Sequence, residues 1–319
     1  AIVGSGCAGM SAAADLRNAG FDVTVFEALH KLGGVLRYGI PPFRLPRTVL
    51  DREIESLKEI GVKFEKNVVV GKSITLKQLE EEGYNAIFIC SGAGLPKMMG
   101  IKGENLNSVY SANEFLTRVN LMQANSDMTP TPLRVGRKAA IIGGGNVAMD
   151  AARTAVRVGY EEVYIVYRRT EEELPARKEE IRHAKEEGVI FKLLRAPYEI
   201  KEKDGYVDGM VFEVMELGEP DESGRRRPVG TGTYETMDVD TVIVALGTGP
   251  NPIIQKSCEA DKIDINCDRK GYIVINEKGE TSVTNVYAGG DVAPLGESTA
   301  INAMGAGKRA AKAIIEALG

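Results

Sequence analysis

A glycine fingerprint occurs twice in this chain, and two copies leave few folds open. Gly4, Gly6 and Gly9 form G-x-G-x-x-G directly after the apolar Ala1-Ile2-Val3. A small-residue helix is expected over residues 10–19, closed by Gly20, and then a strand over residues 23–26 ending in Glu27. Strand, glycine turn, helix and second strand, with an acid ~20 residues past the loop, are the pattern of a dinucleotide site. Gly4 permits the tight turn, Gly6 lets the backbone approach a pyrophosphate, and Gly9 lets helix and sheet pack closely. The helix N-terminus turns N–H donors and positive potential toward the phosphates. Glu27 is placed to accept hydrogen bonds from a ribose diol.

The second copy differs at one corner. A strand at residues 139–142 runs into Gly143-Gly144-Gly145-Asn146-Val147-Ala148. Gly143 and Gly145 match the first two glycines, and Ala148 replaces the third, which the motif tolerates. A helix over residues 147–158 stops at Gly159, and residues 163–166 form the next strand. Aligned from their helix-ending glycines, with one inserted residue, the two units put Val163 on Val23 and Tyr167 on Glu27. The acid is gone, and Arg168-Arg169 follow at once. A ribose with free hydroxyls wants an acceptor here, whereas a 2′-phosphate wants cations and is repelled by a carboxylate. The planar guanidinium fork grips phosphate at two points. At ~1.5–3 kcal/mol per charge-assisted hydrogen bond, two arginines favour NADPH over NADH by roughly two orders of magnitude. The competing reading pairs Arg168 and Arg169 with Glu171, Glu172 or Glu173 on a solvated turn.

Two further segments bear on the first site. In LGGVLRYGIPPFRLP, residues 32–46, Gly33-Gly34 continue the loop after Glu27 and three prolines rule out helix interior. Arg44 is either solvated or in reach of a phosphate. Near the C-terminus VYAGGD, residues 286–291, is an apolar strand stopped by glycines and Asp291. Glu297-Ser298-Thr299 then precede a helix over residues 300–318, with Ser298 or Thr299 as N-cap. A helix start directed at a flavin ring stabilises the negative charge that grows there on reduction, so a flavin suits this end better than a free dinucleotide.

The remaining organisation follows from length and breakers. At 319 residues two domains are expected. The polar segment 123–134 with its two Thr-Pro steps reads as a linker, and Gly249-Pro250-Asn251-Pro252 as the return crossing. The division is therefore an FAD domain of residues 1–124 and 251–319, a linker at 125–133, and an NADPH domain at 134–250 inserted between. The fold class is α/β, two Rossmann-like domains in a glutathione-reductase-like, two-dinucleotide arrangement. The basic run Arg225-Arg226-Arg227, set among Glu216, Glu219, Asp221 and Glu222, reads as a solvated hairpin tip, and Lys178-Glu179-Glu180 as an exposed helix face. Net charge is −5, which favours neither nucleic acid nor an anionic membrane. No apolar stretch reaches the ~20 residues of a membrane helix. Cys7, Cys90, Cys258 and Cys267 form no CxxC and no metal-ligand spacing, so they read as reduced packing residues of a cytoplasmic protein. The opening AIVGSG looks like the end of a strand, so an upstream segment is expected.

Taken together, GSGCAG, LGGVLRYGIPPFRLP, CSGAG, IIGGGNVAMDAARTA, YIVYRRTEEELPAR, ELGEPDESGRRRP, VIVALGTGPNP, VYAGGD and GESTAINAMGAGKRAA resemble the NADPH-dependent glutamate synthase small (beta) chain family along essentially the whole chain. That family includes the large subunit of NADH-dependent ferredoxin:NADP oxidoreductase. The resemblance implies FAD contacts from Gly4, Gly6, Cys7, Ala8, Gly9, Glu27, Gly34, Val35, Leu36, Arg44, Val69, Ser91, Gly92, Gly290, Asp291, Ser298, Thr299 and Ala300. It implies NADP(H) contacts from Gly143, Gly145, Asn146, Val147, Arg168 and Arg169. It also implies an electron-accepting partner, the glutamate synthase large subunit or another iron–sulfur protein, and it is compatible with a homo-oligomer. Family members carry an N-terminal iron–sulfur domain not found in these residues, and Cys7 stands where a proline is common in the first loop.

Hydride transfer between NADPH and flavin is the implied reaction, with placement and field as the protein's part. No side chain is assigned as acid, base or nucleophile, and neither His30 nor His183 sits in a catalytic pattern. The sequence leaves a glutamate synthase subunit and a transhydrogenase or sulfide dehydrogenase subunit both open. A thioredoxin-reductase-like disulfide reductase is disfavoured, because it needs a redox dithiol beside the flavin.

Overall fold

The computed structural model describes residues 1–126, 129–220 and 224–319. The first unit, Ala1–Leu95 with Thr248–Gly319, opens with β1 (Ile2–Val3), α1 (Cys7–Asn18), β2 (Thr24–Glu27), α2 (Val35–Tyr38), α3 (Arg47–Glu59), β3 (Lys63–Lys66), α4 (Leu76–Glu81), β4 (Ile87–Ile89) and β5 (Leu95–Pro96). The second, Pro96–Gly247, holds β6 (Val109–Ser111), α5 (Ala112–Asn120), β7 (Lys138–Ile142), α6 (Asn146–Val158), β8 (Glu162–Tyr167), α7 (Lys178–Glu186), β9 (Ile190–Leu193), β10 (Arg195–Lys203), β11 (Tyr206–Pro220), β12 (Arg226–Met237) and β13 (Thr241–Val244). The chain returns to the first unit through β14 (Thr248–Gly249), α8 (Ile253–Ala260), β15 (Val286–Ala288) and α9 (Ala300–Leu318).

Each unit carries a parallel sheet of the same plan. The first has the order β15-β4-β1-β2-β3 and the second β6-β13-β7-β8-β9. In both, the strand feeding the glycine loop lies at the centre, its sequence successor on one side and a late strand on the other. Such a switch in strand order opens a crevice at the strands' C-terminal ends, where ligands of open α/β sheets bind. The inner strands are covered on both faces: Thr24 to Glu27, Ile87 to Ile89, Ala139 to Ile142 and Thr241 to Val244 are all buried.

Small residues set the helix packing of the first unit. Ala12 and Ala13 of α1 and Ala310 and Ala311 of α9 are wholly buried with Ile2, Val25 and Phe88. A Cβ on Gly307 would stand 2.2 Å from the Ala8 carbonyl oxygen, so α9 lies on the backbone of α1 and no larger residue fits. In the second unit Ala148, Met149, Ala151 and Ala152 of α6 pack on Ile141, Ile165 and Ile243.

The domain edge expected at residue 124 falls elsewhere. β6 pairs with β13, Val109 opposite Val242, and Phe115 and Leu116 of α5 are buried in the second unit's core, so residues 96–124 belong to that unit. The polar segment 123–134 joins α5 to β7 inside it; Asp127 and Met128 lie outside the described residues. Thr-Pro steps mark a loop, not the boundary of a domain. The second unit also carries the antiparallel sheet β10-β11-β12. The exposed face expected around Lys178 is interrupted at Glu180, which pairs with the buried Arg153 at 3.0 Å.

Candidate dinucleotide sites

The glycines of each loop divide into two kinds. A Cβ on Gly4, whose φ is +115°, would meet the Cys90 carbonyl oxygen at 2.7 Å, and one on Gly9 would meet the Gly4 carbonyl oxygen at 2.0 Å. A Cβ on Gly6 meets nothing within 4 Å. Gly143, φ +142°, repeats the first case, with Ala245 oxygen 2.4 Å from its Cβ position, and Gly145 repeats the second. Gly4 and Gly143 are therefore demanded by the fold, whereas Gly6 and Gly145 border open space at a helix start. Both are N-caps without a side-chain cap bond, on α1 and α6, so those helix starts offer their first N–H groups outward. This is the cradle an anionic pyrophosphate fits. Ala148 fills the third glycine's place and is wholly buried.

Glu27 closes β2 and is 5% exposed. Its Oε2 accepts from the Ser5 N–H at 3.1 Å and from the Ser5 hydroxyl, and its Oε1 accepts from the Leu29 N–H at 2.8 Å. The carboxylate is fixed in orientation and keeps acceptor capacity for a ribose hydroxyl. Ser5 was not singled out in the sequence because it is an "x" of the motif. It is wholly buried, and its Oγ also accepts the Gly33 N–H at 2.9 Å, tying the glycine loop to the segment after Glu27. Gly34, φ +52°, brings its Cβ position to 3.0 Å from Gly6 Cα and caps α2, on whose first turn Val35 and Leu36 lie.

The other residues expected at this site fall around it in the same unit. Cys7 and Ala8 are buried in the first turn of α1. Gly290 would place a Cβ 3.3 Å from that of Ala8. Asp291 follows β15; burial pushes its carboxyl above the usual carboxylate range, partly offset by a hydrogen bond from Ser298. Thr299 is the N-cap of α9, accepting from Asn302 N–H at 3.3 Å, so Ala300 is the first helical residue. Ser91 and Gly92, φ +72°, leave the end of β4. Arg44 sits in the turn before α3, and Val69 in a turn closed by Ser73. Tyr38, at the end of α2, also borders this cluster: burial first, then Glu27, Asp291 and Cys7, raise its phenol. A cavity of about 460 Å³ lies instead at the start of β4 and β15, beside Tyr84, Ala86 and Val286.

In the second site the structure separates the two arginines. β8 ends at Tyr167, the counterpart of Glu27, whose hydroxyl donates to the Glu173 carbonyl oxygen at 2.8 Å. Arg168 is exposed and has no hydrogen-bond or ion-pair partner among the described residues. Arg169 is 5% exposed, and its Nε donates to the Arg226 carbonyl oxygen at 2.7 Å. The alternative pairing with the acidic run does not occur for Arg168: Glu171 pairs with Lys185 at 2.7 Å, and Glu172 and Glu173 with Arg226 at 3.1 and 2.6 Å. The solvated-tip reading holds for the exposed Arg225 and Arg227 at the β11–β12 hairpin end and is corrected at Arg226, which packs on the turn after β8; Asp221 and Glu222 lie outside the described residues.

A third arginine emerges here. The segment before α7 is strapped to the glycine loop by Ala176 N–H to Gly144 oxygen at 3.1 Å and by Arg177 N–H to Asn146 Oδ1 at 3.0 Å. Asn146 thus holds the exposed Arg177 beside the cradle, and Val147, 45% exposed, lies on the open side of α6. The signal was present in PAR but carried no spacing rule.

The four cysteines are free thiols. Burial pushes Cys7 and Cys258 up to about 11, and Cys90 and Cys267 also upward. No metal-holding cluster occurs among the described residues, and none of their helices is long and apolar enough to cross a membrane.

The model of the pyridine nucleotide-disulphide oxidoreductase family matches residues 1–307. Over 320 residues the chain is 40% identical to the NADP(+)-dependent formate dehydrogenase subunit beta of Moorella thermoacetica, covering 98% of this chain and 43% of that one. It is 35% identical over 327 residues to the glutamate synthase (NADPH) small chain of Halomonas elongata, covering 100% of this chain and 67% of that protein. The chain thus spans less than half of the formate dehydrogenase subunit. Among solved structures, FprA of Mycobacterium tuberculosis in complex with NADPH aligns with a TM-score of 0.82 at 23% identity, covering 100% of this chain and 84% of that one. Thioredoxin reductase of T. acidophilum aligns with a TM-score of 0.74 at 21% identity, over 99% and 97% of the two chains. These likenesses confirm the two-nucleotide α/β fold. With both cradles in place and a match along its length, the chain belongs to the pyridine nucleotide-disulphide oxidoreductase family, in the group of the glutamate synthase small chains, with FAD and NADP(H) as its cofactors.

Proposed function

We propose that this chain is an NADPH-handling flavoprotein module that passes electrons to a protein partner, as in a glutamate synthase small chain. The observation that carries it is the contrast between two matching cradles, one closed by the acid Glu27 and the other by the exposed Arg168. The first unit takes FAD and the second NADPH. When bound, FAD supplies hydride exchange with the nicotinamide and onward release of electrons. The chain's own residues hold and orient. Gly6 and the α1 start receive the flavin dinucleotide's pyrophosphate, and Glu27 takes its ribose. The start of α9 directs positive potential at negative charge growing beyond it. Gly145 and the α6 start receive the second pyrophosphate. Arg168, with Arg177 beside the cradle, takes the 2′-phosphate. Arg169 supports this corner from within.

The partner is the glutamate synthase large subunit or another electron-accepting iron–sulfur protein. A component of a ferredoxin:NADP transhydrogenase is the second reading, favoured by the same residues. Glutamate formation on adding the large subunit, against ferredoxin-coupled transhydrogenation, separates the two. A disulfide reductase is disfavoured: the cysteines form no CxxC, and their raised thiols are poor nucleophiles at neutral pH. The primary test is anaerobic titration of the FAD-loaded chain with NADPH, followed by dye reduction. Bleaching of two flavin bands and preference for NADPH are expected. Failure to take up FAD refutes the proposal.

A further inference from the structure

The acidic run Glu171–Glu173 stands within five residues of Arg168, where it threatens the proposed phosphate site twice over. A carboxylate that pairs with Arg168 removes its cation, and an unpaired one repels the incoming phosphate. All three acids are taken up elsewhere. Glu173, with a side chain 6% exposed, accepts from Arg226 Nε at 2.6 Å, from Thr170 N–H at 3.1 Å, and from the Thr170 hydroxyl. The exposed Glu172 pairs with Arg226 Nη2 at 3.1 Å, and both oxygens of Glu171 accept from Lys185 at 2.7 Å.

Arg226 reaches this turn from another part of the unit. It opens β12, and its main-chain oxygen is held by Arg169 Nε at 2.7 Å. Arg169 therefore staples the hairpin to the end of β8, and the hairpin brings a cation to the acids. We propose that Arg226, assisted by Lys185, is a positioning residue for cofactor choice: it sequesters Glu172 and Glu173 and so leaves Arg168 to the 2′-phosphate. The inference rests on the reading of Arg168 given above.

The test uses the full FAD-loaded chain and steady-state dye reduction with NADPH and NADH. Arg226→Gln keeps a donor for Glu173 but removes the charge. Its KM for NADPH rises about threefold to fivefold, the range an exposed ion pair supplies. The KM for NADH and both kcat values stay unchanged, and the effect fades with added salt. Arg226→Lys retains most of the preference. Arg226→Gln combined with Glu172→Gln restores it, a rescue that a merely structural role does not give. An unchanged NADPH to NADH ratio in Arg226→Gln, or an equal loss for both, overturns the inference provided Arg168→Gln lowers the ratio. If Arg168→Gln leaves the ratio unchanged, the underlying reading falls, and this inference with it.

Discussion

Glu27 offers the sharpest quantitative test of the first site. In Glu27→Gln one carboxylate oxygen becomes an amide NH2. The two oxygens now face the Ser5 and Leu29 N–H groups from 3.1 and 2.8 Å in a pocket where the residue is 5% exposed. Whichever way the amide turns, a donor confronts a donor. A buried N–H left without its acceptor costs ~1–3 kcal/mol, so ~2 kcal/mol is expected for the FAD-free protein. For a domain of ~150–250 residues that lowers Tm by about 4–8 °C. FAD binding loses a charge-assisted bond to the ribose on top of this, roughly ten- to a hundredfold in affinity. Calorimetry of the FAD-free chain and flavin fluorescence quenching read the two effects separately. A variant that melts within 1 °C of the parent would falsify the hydrogen-bond accounting, and unchanged FAD affinity would remove Glu27 from the site.

Further outcomes are expected from the same geometry. Gly143→Ala lowers Tm by several degrees, because its Cβ meets Ala245 oxygen at 2.4 Å, whereas Gly145→Ala melts normally and raises the KM for NADPH about tenfold or more. Arg168→Gln lowers NADPH preference about tenfold, the lower end for one charge-assisted contact at an exposed site; comparison of kcat/KM for the two nucleotides measures it. Asp291 has a folded pKa above its ordinary 3.8, so the folded state holds the proton more tightly and stability falls as pH rises through that range. Asp291→Asn therefore raises Tm of the FAD-free chain at pH 7, with the gain vanishing below pH 3.8; equal gains at both pH values contradict the sign. With its thiol near 11, Cys7 is ~0.1% thiolate at pH 8, so iodoacetamide labels it only after unfolding, as peptide mass spectrometry would record.

The sequence was most legible where backbone geometry allows one residue type. Gly4 and Gly143 predict their own turns, and the inner strands β2, β7 and β8 predict themselves from apolar runs, whereas the edge strands β3 and β9, KFEK and IFKL, do not. The domain edge was not legible at residue 124, because β6 is only three residues long and its partner β13 lies over a hundred residues on. Ser5 was invisible because a motif "x" carries no instruction, although its hydroxyl bridges Glu27 to Gly33. Arg168 and Arg169 look identical in the chain. Only the hairpin that supplies the Arg226 carbonyl distinguishes the buried arginine from the exposed one. The acids beside them belonged to partners fourteen and more than fifty residues distant, beyond any local rule.

The first sheet has a consequence for the order in which a ribosome delivers this protein. β4 needs β15 as its neighbour, and α1 needs α9, yet the second unit is translated in full between them. The contiguous unit Pro96–Gly247 is able to fold as soon as it emerges. Until α9 arrives, the β1-α1-β2 segment waits with Ala12 and Ala13 of α1 uncovered. The β1-α1-β2 segment is thus translated before the second unit yet completed after it, and termination before α9 leaves an exposed apolar edge for chaperones to shield.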